Sequence, residues 1–494
     1  MNRAPTGTGT WICDALPCPC TVRGRVGGTV DARELGFVPA IELAAKVRRK
    51  EVSPVEIVGA VLEQIERLNP TINAFSAVLD EQARSAAHAA EAALASGEPL
   101  GPLHGVPIAI KEQLNVAGVR VAFGSHLLAD SVATEDAPVI ARLRAAGAII
   151  VGMTTMPEFG WQGHSWSPLY GMTHNPWDLD HTAGGSSSGS AAAVAAGLVP
   201  LAVGSDGAGS IRMPASFCGI FGLKPTFGRV AQYPVSLSEF VTHLGPMART
   251  VRDAALLLDV TAGPDPRDPT SLPPPNEAYL AACEGDLTGA RVAWSPDLGY
   301  ATVAPEVARL TEAAARRFAE LGCTVEEATP GFPDPIWSAD QHLWAGAANR
   351  AWERLPTERD RMDPGFVAAV EMMAERTLFD AARARAQRFE LSAIMGAFFE
   401  RYDLLLTPTM ADIAFGTDRS ERTYGPTLGW SPFTYPFNLT GQPAATVPCG
   451  WSEAGLPVGL QIIGPRFAEA LVFQAAAAFE AAQPWADRRP TIAS

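Results

Sequence analysis

Residues 184–226 read GGSSSGSAAAVAAGLVPLAVGSDGAGSIRMPASFCGIFGLKPT. Four units follow one another here: a serine-rich loop, small residues at helical spacing over about 190–196, a short apolar strand over 200–203, and a glycine-rich turn that ends on Ser210. A turn of this kind aims several backbone N–H groups at one point. A serine seated there can attack a carbonyl while those N–H groups hold the oxyanion that forms. The stretch therefore has the makings of half of an acyl-transfer site.

Outward from it, strand and helix signals alternate. Ser53-Pro54-Val55-Glu56 is a capping box with proline at the first helical position, and Val55, Val58, Val61, Leu62, Ile65 and Leu68 follow at helical spacing. Asn69-Pro70 is predicted to stop that helix. An alanine-rich helix is predicted over 80–96, closed by Gly97. Residues 105–111 form a buried strand that ends, unusually, on Lys111, and a helix over about 135–146 leads into a strand over 148–152. Further on, strands are predicted at 291–294, 404–407, 445–448 and 458–463, and helices at 305–321 and 468–482. This alternation predicts an α/β architecture with a mostly parallel sheet, whose ligands sit at strand ends.

Composition narrows the function. The 494 residues are 47% hydrophobic and 18% charged, enough for a large core. The net charge of −15 speaks against nucleic acid as a direct partner. No apolar run reaches the length of a membrane span. The seven cysteines, Cys13, Cys18, Cys20, Cys218, Cys283, Cys323 and Cys449, are odd in number and unpatterned, which points to a reducing, cytoplasmic setting. Cys18-Pro19-Cys20 lacks a second ligand pair at zinc spacing, so no metal is expected there. Folding signals begin near Glu34, and residues 1–33 are read as a poorly ordered extension without a signal-peptide core. The six prolines of 263–276 mark a surface connection, to about 277, inside one domain that spans 34–494.

Two serines compete for the role of nucleophile. Gly185-Ser186-Ser187-Ser188-Gly189 matches G-x-S-x-G, which would make Ser187 the tip of a nucleophile elbow. The strand that should precede it is missing, because 175–183 is polar, and only His243 and His342 lie downstream as bases. Alternatively Ser210 attacks and Lys111 is the base, through a bridging serine of the 184–189 loop. Lysine serves as a base only when neutral, and burial beside the apolar strand would lower its pKa. This second scheme explains the lysine, the serine loop and the glycine turn together. His174 and His181 flank the loop and are read as solvated. Tyr233 and Phe240 are assigned no role.

The motifs resemble those of the amidase signature family: Gly105-Val106-Pro107-Ile108-Ala109-Ile110-Lys111, Gly184 through Ser190, Gly204 through Arg212, Gly222-Leu223-Lys224-Pro225-Thr226, Pro436 through Ala444, and Leu456 through Gln461. The resemblance spans about 34–490. It implies a single large domain with a central mixed, mostly parallel twisted sheet covered by helices on both faces. It also implies a Ser–cis-Ser–Lys triad in which Ser210 is the nucleophile, Ser186 the bridge and Lys111 the base; the two serines stand 24 residues apart. By the same resemblance the N–H groups of Gly207, Ala208, Gly209 and Ser210 form the oxyanion hole. Ser187, Asp206 and Arg212 support the loops, and Met156, Phe159, Gly160 and Trp161 border the acyl pocket. Ala208 and Ser188 replace glycines usual in the family; at Ala208 a positive φ would strain the backbone. The expected activity is cofactor-independent, metal-free hydrolysis of a small-molecule amide, with hydrophobic or aryl amides favoured and esters or carbamates (urethanes) chemically adjacent. A homodimer is compatible with such folds. The rival reading is the amidase subunit of a tRNA-dependent amidotransferase, a glutaminase working with partner subunits. A catalytically idle binding protein is disfavoured by the intact Lys111, Ser186 and Ser210.

Overall fold

The structure, a computed structural model, describes residues 32–236, 238, 240–418 and 428–493. Eleven strands join in one sheet: β1 (Phe75–Val78), β2 (Pro107–Lys111), β3 (Ile149–Thr154), β4 (Leu201–Asp206), β5 (Phe221–Lys224), β6 (His243–Ala248), β7 (Arg291–Trp294), β8 (Thr324–Glu327), β9 (Leu404–Pro408), β10 (Ala444–Trp451) and β11 (Pro457–Ile463). Their spatial order is β1-β3-β2-β4-β6-β5-β10-β11-β9-β7-β8. Strands from both sides of the proline-rich segment share this sheet, joined where β5 pairs with β10. That segment carries no helix or strand between Thr261 and Tyr279. The Arg142 guanidinium pins its start by donating to the carbonyls of Thr261, Gly263 and Pro264.

The sheet is mixed as expected, but it is not mostly parallel. Only β2–β3, β2–β4, β7–β8 and β7–β9 run parallel; the other six pairings are antiparallel. Alternating strand and helix signals read as crossovers. The returning strand β6 is not legible among them, and β10 and β11 form a direct hairpin with no helix between them.

Burial follows the pleat. Ile108 and Ile110 of β2, Leu201 and Val203 of β4, and Leu404 and Leu406 of β9 pack in one layer with Leu257, Phe318 and Phe473. Their neighbours Ala109 and Ala202 face the opposite layer, against Val61, Ala87 and Val194. Leu405 and Ile463 face a third cluster with Trp344, Phe366 and Met395. Helices thus cover both faces.

Local signals match the structure closely. Ser53 caps the helix Pro54–Ile72 in a full capping box, and the helix Asp80–Ser96 ends at Gly97. The first of these does not stop at Pro70. It runs to Ile72 and ends on Asn73, whose N–H donates to the Asn69 carbonyl at 2.7 Å. Pro70 is exposed and sits in the last turn, where a single backbone hydrogen bond is lost. The N-terminal boundary also moves, since Ala32–Leu35 is helical. Cys13, Cys18 and Cys20 lie outside the described residues. Among the described residues no helix is long and apolar enough to cross a membrane.

Because β2 and β4 are parallel neighbours, their carboxyl ends lie at the same edge of the sheet. Lys111 ends one and Asp206 ends the other, which brings the lysine beside the glycine turn.

Candidate active site

Every residue of β2 is buried, and Lys111 is fully so. Its Nζ lies 2.7 Å from Ser186 Oγ, 3.0 Å from Ser187 Oγ, 2.9 Å from Ser205 Oγ and 3.4 Å from the Ser205 carbonyl. Hydroxyls ring this amine, and among the described residues no carboxylate hydrogen-bonds to it. Burial pushes the Lys111 ammonium well below its ordinary pKa, and the Asp206 charge offsets that only in part.

The serine loop delivers two of those hydroxyls. The Gly185–Ser186 peptide is cis. Ser187 stands at the N-terminus of the helix Ser188–Ala195; its Oγ donates to the Ser205 carbonyl (3.1 Å) and accepts from the Ser205 N–H (3.2 Å). The Ser187 N–H donates to the Ser210 carbonyl at 3.1 Å, which ties loop to turn. Ser188 is buried in the first turn of that helix, and among the described residues its hydroxyl has no hydrogen-bond partner. Gly160 presses on the loop from outside: at φ +71°, a Cβ there would stand 3.0 Å from Ser186 Oγ.

The glycine turn is clamped from beneath. The Asp206 carboxylate accepts from the N–H of Gly209 (2.7 Å) and Ile211 (3.2 Å), from Arg212 Nε and Nη2 (both 2.9 Å), and from Asn438 Nδ2 (2.9 Å). Arg212, fully buried, also donates to Asn438 Oδ1 (2.6 Å), Gln461 Oε1 (2.8 Å) and the Thr434 carbonyl (3.0 Å). Burial alone would raise the Asp206 carboxyl, but the charge and hydrogen bonds of Arg212, with Lys224 and Asn438, hold it well below the usual carboxylate range.

This clamp changes the expected oxyanion hole. The Gly209 N–H is already hydrogen-bonded to Asp206. The N–H groups of Gly207, Ala208 and Ser210 have no acceptor among the described residues. The positive φ in the turn falls on Gly209 (+127°), where a Cβ would collide with Thr434 Oγ1. Ala208 lies outside the left-handed region, so alanine there brings no strain; its carbonyl accepts from Thr434 Oγ1 at 2.6 Å.

Ser186, Ser205, Ser210 and Gly207 line one cavity of about 380 Å³, whose wall also includes Gln113, Phe123, Phe159, Gly160, Leu343 and Trp344. Ser186 and Ser210 both line it, and among the described residues no hydrogen bond joins their hydroxyls. Of the four residues expected at the acyl pocket, Phe159 and Gly160 line it. Met156 and Trp161 do not: both are buried behind the wall, Trp161 against Trp344 with ring centroids 6.4 Å apart. Ser187 is not a nucleophile elbow. Its hydroxyl is turned to Lys111 and Ser205, while His243 Nδ1 is held by the Val241 carbonyl (2.7 Å) and His342 Nδ1 by the Ser338 carbonyl (2.8 Å). Within their own hairpin, the His174 Nδ1 bonds to the Leu179 carbonyl and the His181 Nδ1 lies 3.0 Å from Asp178 Oδ2.

Sequence reasoning misses Ser205, Gln113, Thr434 and the helix Ile336–Ala351 that carries Leu343 and Trp344. Ser205 is legible in principle, because it precedes Asp206 on the strand that feeds the turn. Gln113 is too, two residues after the lysine.

Comparison with known proteins places the chain in a family. A family model described as Amidase matches residues 56–473. The chain is 42% identical over 473 residues to an acylamidase of Rhodococcus erythropolis, covering 93% of this chain and 98% of that one. It is 36% identical over 488 residues to a glutamyl-tRNA(Gln) amidotransferase subunit from Moorella thermoacetica, covering 93% and 99%. The crystal structure of a bacterial aryl acylamidase of the amidase signature enzymes superposes with a TM-score of 0.86 at 32% identity, covering 91% of this chain and 97% of that one. The chain belongs to the amidase family and is an amide-hydrolysing enzyme.

Proposed function

We propose that this chain hydrolyses hydrophobic or aryl amides through an acyl-enzyme on Ser210. The observation that carries this reading is the fully buried Lys111 amine, 2.7 Å from Ser186 Oγ and surrounded by hydroxyls.

The hydrogen bonds are compatible with a neutral Lys111. Ser187 donates its one hydroxyl proton to the Ser205 carbonyl, and Ser205 donates its own to Gln113 Oε1 at 2.9 Å. Both oxygens must therefore accept from Lys111. A neutral amine has two protons to give them, and its lone pair remains for the nearest hydroxyl, Ser186. Ser186 then donates to Lys111 and is left as acceptor for the Ser210 proton. As Ser210 Oγ attacks the carbonyl, its proton passes to Ser186 and that of Ser186 to Lys111. The oxyanion is held by the unpaired N–H groups of the turn. The same relay returns the proton to the leaving amine as the C–N bond breaks. Water, deprotonated along the same path, then releases the carboxylate.

The acylamidase and aryl acylamidase relatives support an acyl or aryl amide substrate. Esters and carbamates present the same carbonyl to the same hole. The likeness to an amidotransferase component favours a second reading, glutamine hydrolysis with partner subunits. Assaying the purified chain alone against anilides, aliphatic amides, carbamates and glutamine separates the two. Anilide turnover that disappears in Ser210→Ala supports the first; turnover of glutamine alone, dependent on added partners, replaces it with the second.

A further inference from the structure

Arg350 is the one charged side chain among the described residues that line the cavity. It stands in the last turn of the helix Ile336–Ala351, with its guanidinium 4.7 Å over the Phe123 ring. The Phe123 ring lies 6.0 Å from that of Phe159, which stacks on Phe366 at 5.2 Å. Phe159 precedes Gly160, the residue pressed against Ser186 Oγ. An aromatic wall thus runs from the reacting hydroxyls to a guanidinium.

That guanidinium has no carboxylate partner among the described residues. Its neighbours on the same flank are all engaged: Arg354 donates to the Leu127 carbonyl, Arg359 pairs with Glu371 and Arg361 with Glu358. Arg350 is solvent-exposed, so it places a solvated, unpaired cation at the open rim of a cavity whose other lining residues are uncharged. The cation–π contact with Phe123 leaves the guanidinium donors without a protein acceptor among the described residues, and a guanidinium suits two-pronged binding of a carboxylate.

We propose that Arg350 is a specificity residue that binds a carboxylate borne by the substrate away from the scissile carbonyl. Resting on the amide-hydrolase reading above, this names the substrate class as amides that carry a remote carboxylate, with an apolar or aromatic middle lying along Phe123 and Phe159.

Two matched pairs of substrates test it: the 4-nitroanilides of glutaric acid and of pentanoic acid, which differ on the acyl side, and N-acetyl-4-aminobenzoate against acetanilide, which differ on the amine side. The wild-type enzyme should favour the carboxylated member of at least one pair by about tenfold in kcat/KM, mostly through KM, and the preference should shrink with added salt. Arg350→Met, which keeps an unbranched chain over Phe123, should abolish that preference and change turnover of the neutral members by less than about twofold. Arg350→Lys should restore part of it. The same ordering should appear in calorimetric binding to Ser210→Ala, a readout that needs no turnover. No preference in either pair, or a preference that survives Arg350→Met, overturns the assignment. Neutral anilides that are turned over in a Ser210-dependent way without such a preference would remove the role of Arg350 alone. Anilide turnover that survives Ser210→Ala would remove the catalytic reading beneath it.

Discussion

Two fully buried basic side chains stand at the same edge of the sheet, Lys111 at the end of β2 and Arg212 just past the turn that follows β4. Arg212 meets the Asp206 carboxylate through two nitrogens and fills its remaining donors with Asn438, Gln461 and the Thr434 carbonyl. Lys111 meets hydroxyls and one carbonyl. Burial disfavours charge at both positions, and only the first has a paired anion to offset it. One site thus keeps an ion pair that shapes the turn, while at the other desolvation favours the uncharged amine that the proposed relay requires. In the proposed mechanism the same desolvation builds a scaffold in one place and a base in the other, and the difference lies in the partners.

Variants at these positions can break the contrast. The largest effect is expected at the reacting end: Ser210→Ala and Lys111→Met should each lower kcat by roughly ten-thousand-fold or more while the circular dichroism spectrum stays that of the wild type. Lys111→Met also tests the charge. The Lys111 pKa is depressed in the folded chain, so between that value and the ordinary lysine range the unfolded chain binds a proton that the folded chain does not. Wild-type stability should therefore rise with pH across that window, and the variant should lose this rise, as read by urea denaturation at a series of pH values. On the scaffold side, Asp206→Asn leaves Arg212 buried without an anion. It should lower stability by about 3–5 kcal/mol, a larger loss than Lys111→Met causes at neutral pH.

Smaller effects sharpen the picture. Gly160→Ala puts a methyl against Ser186 Oγ and should reduce kcat by roughly tenfold to a hundredfold, because a relay tolerates little displacement. A reduction confined to KM would mean that Gly160 bounds the substrate and not the relay. Glu112, next to the lysine, accepts hydrogen bonds from Tyr170 and from the N–H groups of Gly124 and Ala122, on either side of Phe123. Burial nevertheless pushes its carboxyl up to about 7. A raised folded pKa contributes stability that is complete below the unfolded value of about 4.3 and is lost as pH rises through about 7. Glu112→Gln should flatten that fall, shifting thermal unfolding by a few degrees between about pH 5 and 7 and little below.

What can be read in advance has its signal within a few residues. Lys111 at the end of an apolar strand, the serine loop, the turn to Ser210, the capping box at Ser53 and the stop at Gly97 are each written locally. What cannot be read depends on distant residues. Asn438 and Gln461 hold Arg212 from 226 and 249 positions away, and nothing around them names that partner. The taking of the Gly209 N–H by Asp206 is local in sequence, yet it follows from which way the carboxylate turns. Closeness in sequence to Phe159 and Gly160 points Met156 and Trp161 to the pocket as well, and the left-handed kink at Phe159 and Gly160 (φ +48° and +71°) separates the buried pair from the lining pair. A mostly parallel sheet is the natural expectation because hairpins such as β10–β11 and the return of β6 leave weaker marks than helices do.

The protonation state of Lys111 is the point on which the relay stands. Heteronuclear NMR of lysine-labelled protein, with Lys111→Met to assign the signal, reports whether Nζ is an amine or an ammonium. A neutral amine at about pH 7, titrating well below the ordinary lysine value of about 10.4, is the predicted result. An ammonium signal that persists in the active enzyme to about pH 9 would contradict it.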